Sequence, residues 1–195
     1  MKLMIEEMYQ YLEKYANENT MKQTSKMLPY AFKAHEGQYR KGKDKNVPYI
    51  HHPLLIACHA LALGLHSDNL VSAALLHDVC EDCDIKVEEL PVNEETREIV
   101  ALLTKDKSIS MEQYYTKISQ NADATINKLL DRCNNVSEMS RGFNKEKMHR
   151  YIMETETWFY PLMQKAIEDF PKYAGQIFLI QYHINSVLEA IKNQH

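Results

Sequence analysis

Apolar residues recur three and four positions apart along almost the whole chain, and no stretch alternates convincingly between apolar and polar. That spacing lines one face of an α-helix, whereas a half-buried strand needs a period of two. Glycine is scarce at 5 and proline at 6, too few for a turn-rich β-fold. The expected fold class is therefore all-α.

Leu3, Ile5, Met8, Tyr11 and Leu12 mark a first amphipathic helix, and Met27 to His35 a second. A third starts at His52, with Pro53 in its first turn and Gly64 near its end. Asp68 is expected to cap a fourth that runs unbroken through VSAALLHDVCED. Further helices are expected over 94–105, 110–120, 122–135 and 145–167, the last kinked or divided at Pro161, and over 173–193. A length of 195 residues and 45% hydrophobic composition fit one compact domain with ample core.

The formal net charge is −4 and no long basic run appears, so nucleic acid is not an expected partner. The N-terminus lacks the apolar core of a signal peptide and no apolar run approaches membrane-spanning length, so no membrane partner is expected and the expected location is cytoplasmic. Four cysteines in a chain of this size do not indicate a disulfide framework. Nothing in the sequence fixes an oligomeric state.

The stretch LLHDVCED (75–82) places His77, Asp78, Glu81 and Asp82 directly after a buried apolar run. Burying this much charge is expensive without a counterion, and a divalent cation is the natural one. Two more positions fit the same picture. His52 stands at the start of the apolar third helix, and Asp131 follows Leu129 and Leu130 in KLLDRCNN. Two imidazoles and two carboxylates make a mixed nitrogen and oxygen site that suits Mn²⁺, Fe²⁺ or Zn²⁺ better than Ca²⁺.

Six segments carry a resemblance: AHEGQYRKG (34–42), PYIHHPLLIA (48–57), AALLHDVCED (73–82), LLTK (102–105), KLLDRCNN (128–135) and ETETWFYPL (154–162). In this order the chain resembles the HD-domain metal-dependent phosphohydrolases, and within them the hydrolase domain of RelA/SpoT-type alarmone enzymes and the small alarmone hydrolases. The resemblance implies an HD-type helical bundle forming a single domain over 1–195, with a motif-bearing core at about 27–165 and a helical extension at 166–195. It implies that His52, His77, Asp78 and Asp131 are metal ligands, with Mn²⁺ the usual ion. It implies that Glu81 and Asp82 activate and orient the attacking water, and that Arg40, Lys41 and Asn135 contact a guanine nucleotide. The implied reaction is removal of pyrophosphate from the 3′ position of (p)ppGpp, giving GDP or GTP. Too few residues follow the matched region for a nucleotidyl-transfer module, so a hydrolase-only form is expected.

Three features depart from the pattern. The loop before Pro48 is longer than usual, Cys83 stands where a threonine is usual, and Glu138 occupies a threonine-like position where it would repel a phosphate or alter ribose contacts. Two other readings therefore stay open: the same chemistry on another nucleotide, such as the 2′-phosphate of NADPH, and a non-catalytic nucleotide-binding module.

Plainer roles are expected elsewhere. His51 should face solvent, since only one of two adjacent residues easily aims inward. Cys80 and Cys83 should pack against the core, and His59 should be a satisfied buried histidine. His35 should stabilise the loop or nucleotide pocket. Tyr114, Tyr115 and Trp158 to Tyr160 should be packing residues. Lys128 is read either as a neighbour of the phosphates or as a solvated helix residue.

Overall fold

The computed structural model describes residues 2–40 and 46–192, and Lys41 with the tip of its loop lies outside them. The all-α expectation is met: among the described residues there is no strand, only an isolated antiparallel bridge between Tyr39 and Pro48. In chain order the helices are α1 Lys2–Glu18, α2 Lys22–Ala34, α3 His51–Ala62, α4 Asp68–Leu76, α5 Val79–Asp82, α6 Glu94–Leu103, α7 Met111–Ile118, α8 Ala122–Gly142, α9 Lys145–Glu154, α10 Tyr160–Asp169 and α11 Ala174–Lys192. Among the described residues no helix is long and apolar enough to cross a membrane.

Local sequence explains where most helices begin. Asn93, Ser110, Asn121 and Asn144 each accept a backbone N–H from the first turn of α6, α7, α8 and α9, satisfying donors that the helix itself leaves orphaned. Asp68 departs from its expected role. Ser67 caps α4 with its hydroxyl, while the Asp68 carboxylate reaches across to accept the Gln23 and Thr24 amides of α2 at 2.9 and 2.7 Å. The residue before α2 is Met21, which has no side chain to cap with, so that helix takes its cap from α4.

Two helices lie deepest. Every residue of α4 from Leu70 to Leu76 is buried, and α3 buries most of its length, as expected of helices that are apolar all round. Around them α8 packs against α3, α4, α6, α9, α10 and α11. Pro161 divides the expected long helix, as the sequence indicated. Lacking an N–H it cannot continue the α ladder, and a π-helical turn at Thr155–Phe159 precedes α10, closed by the Tyr160 N–H on the Thr155 carbonyl. The helix expected to end at Asn135 instead continues to Gly142.

Candidate active site

The helix expected to run unbroken to Asp82 stops at Leu76, and α5 starts again at Val79. His77 and Asp78 form the joint. In a continuous helix the Ala74 carbonyl would take the Asp78 amide; here it accepts the His77 ring Nδ1 at 2.8 Å. The break turns both side chains to one side. His77 Nε2 lies 2.9 Å from Asp78 Oδ2 and 3.3 Å from His52 Nε2, which projects from the first turn of α3. One ligand atom each from His52, His77 and Asp78 lies within 4.8 Å of the others, a group able to hold a metal ion. Asp131 of α8 joins through His52, its Oδ1 at 3.2 Å from Nε2.

Both imidazoles are fixed by an acceptor on the far side of the ring. The Ala74 carbonyl can only accept, so His77 Nδ1 carries the proton. His52 Nδ1 donates to Asn134 Oδ1 at 2.5 Å, so the same holds for His52. In the neutral rings both Nε2 lone pairs therefore face each other and two carboxylates. Histidine metal ligands show this arrangement of an outer acceptor fixing the tautomer, and the donor set fits a divalent transition ion.

The buried charges of the cluster lean on one another. Burial opposes a charge on His77, but Asp78, the hydrogen bond to it and Asp131 outweigh burial and push the imidazole up to about 9. Burial also opposes ionisation of Asp78, yet His77 and His52 hold it well below the usual carboxylate range. Asp131 is held low in the same way, against burial, by Lys128 and then His52. Burial and the neighbouring Asp78 raise Tyr49 far above the ordinary phenol, so its hydroxyl stays protonated and donates to Asp78 Oδ2 at 2.5 Å.

The α8 helix presents a polar stripe to this cluster. Lys128, Asp131, Asn135 and Glu138 follow at spacings of three and four, with Asn134 beside them, and all share one side. Lys128 Nζ lies 3.2 Å from Asp131 Oδ2, so it is a partner of Asp131 rather than a solvated residue. Asn135 Nδ2 donates to Asp131 Oδ1, and its Oδ1 accepts from Arg40 Nη2 at 3.0 Å. Arg40 also reaches Glu138 Oε2 at 3.1 Å. Arg40 and Asn135, placed together by the sequence reading, are thus in direct contact.

The expectation that His51 faces solvent is overturned. It is buried at 3% exposure, and its Nδ1 lies 3.8 Å from Glu138 Oε1. Asp131 and Glu138 are two turns apart on one face of α8, so that one helix addresses both adjacent histidines. Glu81 is exposed; its Oε1 accepts the Lys105 amide at 2.6 Å, and with Asp131 and Lys128 it lines a cavity of about 140 Å³. Asp82 is exposed too, with its backbone carbonyl bonded to Gln38 Nε2 at 2.9 Å. Cys80 and Cys83 are half-buried against the core, Cys83 also 3.4 Å from His35 Nδ1. His59 is half-buried, and burial with a nearby His183 keeps its ring neutral-leaning.

Sequence reasoning missed Tyr49 and Asn134, the residues that orient Asp78 and His52. Each had a signal: Tyr49 lies one helical turn before His52, and Asn134 one turn after Asp131.

Comparison with known proteins adds to this geometry. No family model matches the chain. A probable guanosine-3′,5′-bis(diphosphate) 3′-pyrophosphohydrolase of Synechocystis is 28% identical over 149 residues, covering 70% of this chain and 19% of that protein, so the chain spans about a fifth of its length. The guanosine-3′,5′-bis(diphosphate) 3′-pyrophosphohydrolase MESH1 of Xenopus tropicalis is 31% identical over 135 residues, covering 63% of this chain and 75% of that one. A solved structure, of a metazoan orthologue of SpoT that hydrolyzes ppGpp and plays a role in starvation responses, superposes with a TM-score of 0.67 at 20% identity over 85% of this chain and 93% of that chain. At that identity the likeness establishes a shared helical-bundle fold.

Proposed function

The chain belongs to the guanosine-3′,5′-bis(diphosphate) 3′-pyrophosphohydrolase family, and from that premise we propose that it hydrolyses (p)ppGpp at the 3′ position, releasing pyrophosphate and leaving GDP or GTP. The observation that carries the reading is the convergence of His52, His77 and Asp78 within 4.8 Å, with Asp131 against His52. These four side chains would hold the ion, and we propose Mn²⁺. When bound, such an ion supplies a Lewis acid that polarises a phosphoryl oxygen and acidifies water.

The remaining roles fall to the chain's own side chains. Glu81 is assigned to accept a proton from the attacking water, and the exposed Asp82 beside it to orient that water. Arg40 and Asn135 hold the nucleotide, Arg40 offering a planar fork suited to phosphate. Lys41, outside the described residues, is assigned to the same nucleotide. Tyr49 and Asn134 keep Asp78 and His52 aimed at the shared point. Lys128 keeps Asp131 charged. The hydrolase is proposed to comprise residues 1–195 as one domain, with 166–195 as a helical extension, and to act in the cytoplasm.

Purified protein mixed with Mn²⁺ and ppGpp should release pyrophosphate, and EDTA should stop it. Replacing Asp78 with alanine should abolish both ion binding and turnover. Intact ppGpp alongside cleavage of another nucleotide, under the same metal conditions, would overturn the substrate assignment.

A further inference from the structure

The last helix is apolar on the side that faces away from the bundle as well as on the side that faces in. Ile177, Ile180, Ile184, Leu188 and Ile191 fill the inner face of α11 at spacings of three and four. Gly175, Phe178, Leu179, Tyr182 and Ser186 follow the same spacing on the opposite face, and all of them are exposed. Phe178, Leu179 and Tyr182 stand 62%, 52% and 64% exposed, and the two rings stack on each other at 6.5 Å. A helix that is apolar all round is normally covered on every side, as α3 and α4 are.

Helix α8 separates this stripe from the active site. Its Asp131, Asn135 and Glu138 face the metal cluster and Arg40. Ser137, on the other side of α8, bonds His183 of α11 at 2.8 Å. Arg40, the last described residue before the loop, therefore lies across α8 from the stripe. At the other end, α11 continues about 15 Å past Tyr182 to Lys192.

Charge indicates what covers the stripe. No residue from 173 to 188 is Asp, Glu, Lys or Arg, although the chain carries a net charge of −4. Such a surface gives a charged partner nothing to pair with, whereas copies of an acidic chain can meet on it without repulsion. The exposed Lys172 and Glu189 bracket it, opposite in sign and about 25 Å apart. Residues 172 and 189, 175 and 186, and 179 and 182 straddle one midpoint. A two-fold axis there, with the helices antiparallel, sets Lys172 against Glu189 of the second copy at both ends. It also sets Gly175 against Ser186 and Leu179 against Tyr182, and pairs the helix dipoles favourably. Parallel pairing would bring like charges together.

The area is also sufficient. Aromatic side chains present about 150–250 Å² each, so these exposures leave roughly 100–160 Å² of each ring open. The four rings of two copies then supply about 400–640 Å², a third to a half of the ~1,200 Å² at the lower limit for a specific interface. Leu179 and the helix flanks add to that.

We infer that the outer face of α11 is a homodimer interface, on which a second copy of this chain docks antiparallel across a two-fold axis. The two active sites then open on the outer sides of the assembly, because α8 stands between each cluster and the interface. This docking does not rest on the hydrolase reading.

Sedimentation velocity of the full chain should show a species of twice 22.8 kDa that dissociates on dilution. Phe178→Glu and Tyr182→Glu, both at exposed positions, should each give a monomer with the wild-type circular dichroism spectrum. Lys172→Glu sets glutamate against glutamate at both ends and should weaken the dimer about tenfold; adding Glu189→Lys should restore it. That exchange touches neither ring, so it tests the interface independently of them. Wild-type protein that stays monomeric up to about 100 μM, far above a working dimer affinity, overturns the proposal. So does a dimer that survives both ring substitutions. A dimer that the ring variants dissolve but the charge exchange leaves unrescued overturns the antiparallel arrangement.

Discussion

Asn134→Ala isolates the arrangement on which ion binding depends. Asn134 is buried at 5% exposure, and its only described role is to accept the His52 Nδ1 proton. Removing the acceptor leaves a buried N–H unsatisfied, which costs ~1–3 kcal/mol. The ring can escape that cost by moving its proton to Nε2, which deletes the lone pair facing Asp78 and Asp131. In that second case ion binding must return the proton to Nδ1, and loss of an outer-shell partner of this kind typically lowers metal affinity about 10–100-fold, or ~1.4–2.7 kcal/mol. Calorimetric titration of metal-free protein with Mn²⁺ measures it directly. Asn134→Asp keeps an acceptor at the same place and should hold the ion with close to wild-type affinity. If folded Asn134→Ala takes up Mn²⁺ with wild-type affinity, the orienting role is wrong, and so is the reading of His52 as an Nε2 ligand.

Glu81→Gln should keep wild-type Mn²⁺ affinity while kcat falls about 10²–10⁴-fold, as expected for loss of a general base; full turnover would remove that role. Arg40→Ala should raise KM for ppGpp about tenfold with kcat little changed, whereas equal losses in kcat and kcat/KM would place Arg40 in transition-state stabilisation instead. The metal-free protein should lose stability as pH rises. The His77 imidazole is raised to about 9 from an unfolded value of ~6.5, so its contribution is complete below about 6.5 and disappears as pH passes through 9. That amounts to a few kcal/mol, and melting temperatures recorded across this range should fall; a flat profile would show that His77 is not held in its charged form.

The sequence made the four candidate ligands legible because each carries a charge or imidazole inside an apolar run, an arrangement that composition alone makes costly. What it could not show is whatever depends on a partner from another helix. Asp68 reads locally as the cap of α4, yet it caps α2, because the Met21 that precedes α2 offers no acceptor. His51 reads as the outward member of a pair, yet α8 runs past both histidines and buries both. The break at His77 was hidden for a similar reason. Helix periodicity continues through HDVCED, and only the side chain's capture of the Ala74 carbonyl interrupts the backbone.

Glu138 changes meaning in the same way. Read along the sequence, it stands where it would repel a phosphate. In the fold its carboxylate is turned to Arg40 at 3.1 Å and lies 3.8 Å from His51, so its charge is directed at a cation already present. A nucleotide phosphate that recruits Arg40 must therefore compete with Glu138 for the same guanidinium. Glu138→Gln weakens that competitor while leaving its shape, and KM for ppGpp should fall several-fold if Arg40 is the phosphate contact. Both groups are largely buried, so solvent screens the competition weakly and the change should persist at moderate salt. An unchanged KM would mean that Arg40 stays with Glu138 when the nucleotide binds, and that the phosphates are held elsewhere.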